Sequence, residues 1–150
     1  MLPLNLPRYA AKVTEKDGKH SILDPVRRKY VALTPEEWVR QHFVNYLITI
    51  KDFPKELLAN EVSIKLNGTS KRCDTVAYSR DLSPLMIMEY KAPSVEITST
   101  VFDQIVRYNM VLRVKYLTVS NGLRHFCCKI DYETQEYTFL EEIPTYQTLE

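Results

Sequence analysis

The sequence has few cysteines, and their spacing excludes the usual cysteine-based architectures. Cys73, Cys127 and Cys128 are the three cysteines among 150 residues. Two of them are adjacent, and adjacent cysteines rarely form a disulfide with each other, so the sequence has no disulfide framework. The spacing of the three cysteines also does not match that of zinc ligands. The three histidines are too scattered to indicate a metal site. An odd number of cysteines without a framework is typical of a reducing compartment.

Long apolar runs are also missing. No stretch approaches the roughly 20 residues that a membrane-spanning helix needs. Residues 1–7 are interrupted by Pro3 and Pro7 and are too short for the apolar segment of a signal peptide. The sequence therefore predicts a cytoplasmic protein with no membrane partner.

The sequence has no excess of charge of one sign. Twenty Lys and Arg residues against nineteen Asp and Glu residues give a net charge of +1. Any contact with nucleic acid must therefore come from local rather than global charge. The phosphate loop Gly-x-x-x-x-Gly-Lys-Ser/Thr of nucleotide-driven motors is absent as well. What remains is an ordinary globular composition, 45% hydrophobic and 26% charged, at a length that fits one domain.

One apolar segment carries two charges at its end. Residues 85–88, Leu-Met-Ile-Met, form an unbroken apolar run before Pro93, which predicts a strand buried on both faces. Glu89 and Lys91 follow, and because side chains alternate along a strand, both lie on the same face. Burying either charge alone costs at least ~2 kcal/mol, so each needs a partner.

A second carboxylate comes from the preceding predicted strand. Asp74 lies on that strand, which can pair antiparallel with the Glu89 strand through a turn at residues 79–84 and bring the two acids together. Oxygen ligands on a rigid sheet suit Mg²⁺, and a lysine beside them can act on an attacking water. The same residues also fit a buried ion-pair cluster that only holds the hairpin together. The residues by themselves leave both interpretations open.

A helix is predicted from Thr34 to about Ile50, because Thr34 can cap it, proline follows, and acids occupy the first turn. Extended towards the N-terminus, its apolar stripe passes through Glu36 rather than Glu37. The stripe consists of Val39, Phe43, Tyr46, Leu47 and Ile50.

A second helix is predicted from Thr100 to about Arg113. It places Gln104 and Tyr108 at i and i+4 on one face, and Arg107 on a neighbouring face from which it can reach a phosphate. The strand at residues 114–120 that follows implies a parallel crossover.

The remaining segments read as strands and turns. Residues 61–66 alternate so that Glu61 lies on the outer face, and we interpret it first as a surface residue, with a role in supporting the site near the end of the sheet as the alternative. Short strands around Gly18 predict an N-terminal hairpin, and residues 125–140 predict a terminal one. Arg27-Arg28-Lys29 is either a phosphate-contacting patch or, more simply, a solvated surface run.

Together the elements predict a mixed α/β (α+β) domain in the order α-β-β-β-α-β. Residues 1–32 form an N-terminal extension, residues 33–122 the core, and residues 123–150 a C-terminal hairpin.

Four motifs stand in order between residues 34 and 122. This ordered set resembles the PD-(D/E)xK nuclease superfamily and, more narrowly, the N-terminal nuclease domain of type I restriction enzyme R subunits. Cys73 is a departure, since the superfamily's name has proline there. The resemblance implies a restriction-endonuclease-like core. The motifs are Arg72-Cys73-Asp74, Glu89-Tyr90-Lys91-Ala92-Pro93, Gln104-x-x-x-Tyr108 and Thr118-Val119-Ser120-Asn121-Gly122.

The resemblance also implies roles in metal-dependent hydrolysis of DNA by a restriction-type endonuclease. Asp74 and Glu89 would hold Mg²⁺, or Mn²⁺ as a substitute, joined by an acid four residues before an arginine on the first helix, here Glu36. Lys91 would orient or deprotonate the attacking water, and Gln104 would contact water or substrate.

The implied partners are DNA and either a second copy of the chain or separate subunits of a restriction system. Tyr108 would support the glutamine, and Arg72 and Arg107 are candidate substrate contacts. Two alternatives remain open: a non-catalytic nucleic-acid-binding or interaction module that keeps the nuclease fold, and a structural cluster without chemistry.

Overall fold

The chain begins with a small antiparallel sheet in the computed structural model, which describes residues 2–149. Its strands β1 (Val13–Lys16), β2 (Lys19–Asp24) and β3 (Lys29–Ala32) pair in that order. Gly18, at φ +76°, supplies the positive φ that a tight hairpin turn between β1 and β2 requires. The predicted hairpin is therefore present, and β3 adds a third strand that the sequence pattern did not predict.

Helix α1 (Pro35–Thr49) begins as predicted, because the Thr34 side chain accepts a hydrogen bond from the backbone N–H of Glu37. The helix ends one residue earlier than expected, and Ile50 is 54% exposed. The apolar stripe was extended to the wrong acid, since Glu37 is buried and Glu36 is exposed. Glu37 is buried because arginines from other turns neutralise it, and an apolar pattern does not report such partners.

Six strands form the central sheet, and they confirm the predicted mixed α/β architecture. The sheet order is β4-β5-β6-β7-β8-β9. Strands β6 and β7 are parallel, and all other neighbours are antiparallel. The terminal hairpin β8-β9 extends this sheet beyond β7. The strands are β4 (Leu58–Leu66), β5 (Thr69–Tyr78), β6 (Pro84–Tyr90), β7 (Tyr116–Ser120), β8 (His125–Asp131) and β9 (Glu136–Phe139).

Helix α2 (Ser99–Asn109) provides the crossover between β6 and β7. In the part of the chain that the structure describes, three short 3₁₀ helices accompany these elements, at Lys55–Leu57, Met110–Leu112 and Tyr146–Thr148. No helix within residues 2–149 is long and apolar enough to cross a membrane.

Strand β6 lies between two apolar layers. Met86 and Met88 belong to the cluster that includes Phe43 of α1, and Ile87 belongs to the cluster that includes Phe102 of α2. Each fully buried side chain of this size contributes about 1.5–3 kcal/mol. By alternation, Glu89 lies on the α2 side of the sheet, as Ile87 does.

Candidate active site

A cleft of about 900 Å³ opens beside the carboxyl end of β6. Its walls come from β3, the start of α1, the bend in β4 and β5, and the exposed face of α2. The structure brings most of the predicted site residues together here. They are Glu36, Arg72, Asp74, Glu89, Lys91, Gln104 and Tyr108.

Two carboxyl groups touch at the floor of this cleft. Thr75 pairs with Met88 in the antiparallel ladder, which puts Asp74 opposite Glu89 as the sequence predicted. Burial, the charge of Asp74 and a hydrogen bond to Asp74 raise the pKa of Glu89 to about 9, although Lys91 and Arg40 oppose the shift. The two carboxyl groups therefore share one proton at neutral pH, held in the hydrogen bond between Glu89 and Asp74.

Lys91 extends strand β6 by one more position on the same face as Glu89. Its backbone N–H donates to the carbonyl oxygen of Ser120 at 2.9 Å, which continues the parallel pairing of β6 with β7. The two side chains therefore keep the two-residue spacing of a strand, and both line the cleft. An ammonium group and a carboxyl group are thus held side by side.

Strands β4 and β5 change face at the cleft, and this brings in a residue that the sequence pattern missed. Leu58 packs on the α1 side and Ile64 on the α2 side, although a regular strand would put both on one face. The change occurs at Glu61, whose φ of 55° lies in the left-handed region. A non-glycine residue in this conformation costs on the order of 1–2 kcal/mol.

Glu61 is consequently turned into the cleft instead of lying on the outer surface. It accepts hydrogen bonds from Arg40 Nη2 at 2.7 Å and from Arg72 Nε at 3.1 Å. Burial disfavours its charge, but these two arginines outweigh burial and hold the pKa of Glu61 below its usual value. The first interpretation of Glu61, as a surface residue, was wrong, because strand alternation does not continue through a left-handed residue; its contacts agree with the alternative of a supporting role.

Arg40 connects helix α1 to the backbone of the candidate site. One guanidinium nitrogen donates to the carbonyl oxygen of Asp74, and Nε lies 3.1 Å from Glu37 Oε2. Glu37 in turn accepts from Arg27 at 2.8 Å and from Gln41 at 2.9 Å. Glu37 is therefore engaged with arginines, and the predicted spacing of Glu36 to Arg40 is not the pair that forms.

The oxygen atoms available as metal ligands fit a magnesium ion that is held by few protein groups. Asp74 and Glu89 offer carboxylate oxygens, and the neighbouring Tyr90 offers a backbone carbonyl. Such a set leaves positions for water, which Mg²⁺ retains in its sites. Within residues 2–149 no group of three or more His, Cys, Asp or Glu side chains is gathered to hold a metal, so Glu36 does not complete a triad with the two acids.

Helix α2 presents polar groups along one wall. Gln104 and Tyr108 lie at i and i+4 and are both exposed in the cleft. Lys71 of β5 places its Nζ 3.6 Å from the centre of the Tyr108 ring. A lysine over an aromatic ring at this distance makes a cation–π contact and sets a positive charge at the mouth of the cleft.

Two of the predicted cationic contacts are engaged with other parts of the protein. Arg107 pairs with Asp103 at 3.5 Å and donates to the Gln135 carbonyl at 3.2 Å, which directs it to the β8-β9 turn and away from the cleft. Arg27 lines the cleft but is only 18% exposed, and its guanidinium is paired with Asp24 and Glu37. The run at 27–29 is therefore not one continuous surface patch.

Comparisons with known proteins agree with this architecture. The family model described as type I restriction enzyme R protein N terminus matches residues 35–144. The solved fragment of a putative HsdR subunit of a type I restriction enzyme from Vibrio vulnificus YJ016 has a similar fold, with a TM-score of 0.54 and 21% sequence identity. The similarity covers 78% of this chain and 24% of that one, so the chain spans about a quarter of its length. A search of curated proteins finds no match. Because the family model covers most of the residues, the chain belongs to the family of type I restriction enzyme R protein N-terminal domains.

Proposed function

We propose that this domain hydrolyses phosphodiester bonds of DNA with Mg²⁺, as an endonuclease of the PD-(D/E)xK type. The observation that supports this most directly is the Asp74 and Glu89 pair with Lys91 beside it. Buried acids that share a proton are common in functional sites, because burial and a neighbouring carboxylate are what shift the pKa of a catalytic group.

The proposed metal ligands lie close together on neighbouring strands. Asp74 and Glu89 would hold the ion through their carboxylates, with the Tyr90 carbonyl as a third oxygen. When bound, Mg²⁺ supplies positive charge that stabilises the charge developing on the phosphate. Glu89 must release its proton to take part, so binding is expected to tighten as the pH rises.

Lys91 and Gln104 have complementary roles in this proposal. Lys91 would orient the attacking water or take its proton, since it lies next to the acids on the same face of β6. Gln104 lines the same cleft and would hold the water or a phosphate oxygen through its amide.

DNA would enter along the wall formed by β5 and α2. Arg72 and the Lys71 and Tyr108 pair lie there, and cationic side chains are the groups that contact phosphates. The net charge of +1 makes binding depend on these few residues. The family also suggests that the domain acts beside other subunits of a restriction system, and a second copy is the other candidate partner.

The test is cleavage of supercoiled plasmid and of single-stranded DNA with Mg²⁺ or Mn²⁺. Glu89→Gln and Lys91→Ala should each abolish cleavage, while the matched changes Glu96→Gln and Lys129→Ala, which lie outside the cleft, should leave it intact. Calorimetric titration with Mn²⁺ accompanies the assay. If the parent binds Mn²⁺ but cuts neither substrate, the non-catalytic binding module is favoured; if it neither binds nor cuts, the acids form a structural cluster.

A further inference from the structure

Buried polar groups connect the candidate site to the N-terminal sheet. The carbonyl oxygen of Asp74 accepts from Arg40, whose Nε lies 3.1 Å from Glu37 Oε2. Glu37 Oε1 accepts from Arg27 Nη2 at 2.8 Å. Arg27 Nε then donates to Asp24 Oδ2. The path thus runs from β5 through α1 to the end of β2.

A second path returns from Asp24 to the starting residue. Asp24 Oδ2 accepts from Asn60 Nδ2 at 2.9 Å, and Asn60 Oδ1 accepts from the Thr75 hydroxyl at 2.7 Å. Thr75 accepts from the hydroxyl of Tyr90 at 3.0 Å. The backbone N–H of Tyr90 donates to Asp74 Oδ2 at 2.8 Å. The two paths together form a closed ring of eight residues, which we call the Asp24 ring.

Most of the Asp24 ring lies in the interior. Asp24 and Thr75 have no exposed surface, and Asn60 is 4% exposed. Asp24 also accepts from the backbone N–H groups of Val26 and Arg27, at 2.8 and 3.1 Å, so its carboxylate cannot rotate. Buried polar networks in a medium of low dielectric resist displacement, because moving one member leaves its partners unpaired. The link between Arg40 Nε and Glu37 is an ion pair, and the other links of the ring are hydrogen bonds.

Two backbone groups fix the position of the Asp74 carboxylate, and both belong to the Asp24 ring: the carbonyl group of Asp74 and the N–H group of Tyr90. Arg40 donates a hydrogen bond to the carbonyl oxygen of Asp74. Tyr90 donates its backbone N–H to the Asp74 carboxylate, and the hydroxyl group of Tyr90 is held in turn by Thr75. We propose that Asp24 and Arg27 are positioning residues, which set the Asp74 carboxylate for metal binding from outside the cleft floor. Both precede residue 35, where the family match begins. This proposal rests on the proposed function.

The test compares Arg27→Lys with Arg28→Lys. Lysine keeps the charge but cannot bridge Asp24 and Glu37 as the guanidinium does. Arg28 is exposed, so the same change there is a matched control. Two quantities are measured: the Kd for Mn²⁺ by calorimetry, and the hydrogen-exchange rate of the Tyr90 amide without metal, relative to the amides of β7.

Replacing residues that hydrogen-bond to metal ligands and orient them typically weakens metal binding about 10–100-fold. We expect Arg27→Lys to raise the Kd for Mn²⁺ at least about 10-fold and to accelerate exchange at Tyr90 selectively, while Arg28→Lys changes neither more than about 2-fold. Equal Kd values and unchanged Tyr90 exchange in the two variants would show that the ring serves the fold alone.

If Arg27→Lys does not fold, Tyr90→Phe opens the ring at one hydroxyl without changing a charge, and it must raise the Kd for the proposal to stand. If the parent binds no Mn²⁺, the proposed function fails, and the selective change in Tyr90 exchange alone decides whether Arg27 positions Asp74.

Discussion

Replacing Glu89 by glutamine should change how the stability of the metal-free protein depends on pH. The pKa of Glu89 is about 9 in the folded protein and 4.5 as its ordinary value. Below pH 4.5 Glu89 is protonated in the folded and in the unfolded protein, so its titration takes nothing from the free energy of unfolding. Between pH 4.5 and 9 the unfolded chain releases the proton while the folded one retains it, so stability falls as the pH rises.

The size of this effect follows from the pKa difference. Each pH unit inside the window costs up to about 1.4 kcal/mol, so the parent should lose about 2–4 kcal/mol between pH 5 and pH 8 relative to Glu89→Gln. Glutamine keeps a donor for Asp74 and does not titrate. The free energy of unfolding is measured with urea and EDTA, following Trp38 fluorescence, with the exposed Glu96→Gln as control. Parallel pH profiles for the parent and Glu89→Gln would refute a buried shared proton.

Three other outcomes are expected. Mn²⁺ at about 100 times its Kd should stabilise the parent by about 2.7 kcal/mol and leave Glu89→Gln almost unchanged in thermal melts, and equal shifts in both would place the metal elsewhere. Thr34→Ala should cost about 1 kcal/mol in urea unfolding, since the Glu37 N–H loses its cap, whereas an unchanged midpoint would mean that the cap contributes nothing. Phe43→Ala, at a fully buried position, should cost about 3–5 kcal/mol, and Phe139→Ala, 51% exposed, far less; similar losses would contradict the layered core.

Local patterns were sufficient to predict the part of the site that lies on β5 and β6. Asp74, Glu89 and Lys91 belong to neighbouring strands joined by a short turn, so strand alternation and antiparallel pairing determine their distances. The same reasoning correctly put Gln104 and Tyr108 on one face of α2, because helical spacing is equally local.

The errors concern residues whose environment is set by distant partners. Glu61 appeared to be a surface residue because its strand alternates in sequence, while the structure turns its backbone at φ 55° to meet two arginines. Glu36 was preferred to Glu37 because the apolar stripe of α1, extended towards the N-terminus, passes through Glu36. Glu37 can be buried because it pairs with Arg27, which lies eight residues before α1 begins. The periodicity of α1 carries no information about this partner.

The N-terminal sheet thereby acquires a role that its small size does not suggest. Its strands are mostly exposed, so their apolar contribution to the core is limited to a few residues such as Ile22, which is fully buried. An ionised carboxylate at the end of β2 is costly to bury and is rarely the best way to stabilise a fold. Asp24 nevertheless lies without exposed surface and binds Arg27 and Asn60, which lead to opposite sides of Asp74. A buried charge placed between two paths to the same carboxylate is better explained by the geometry it imposes on that carboxylate than by the stability it adds.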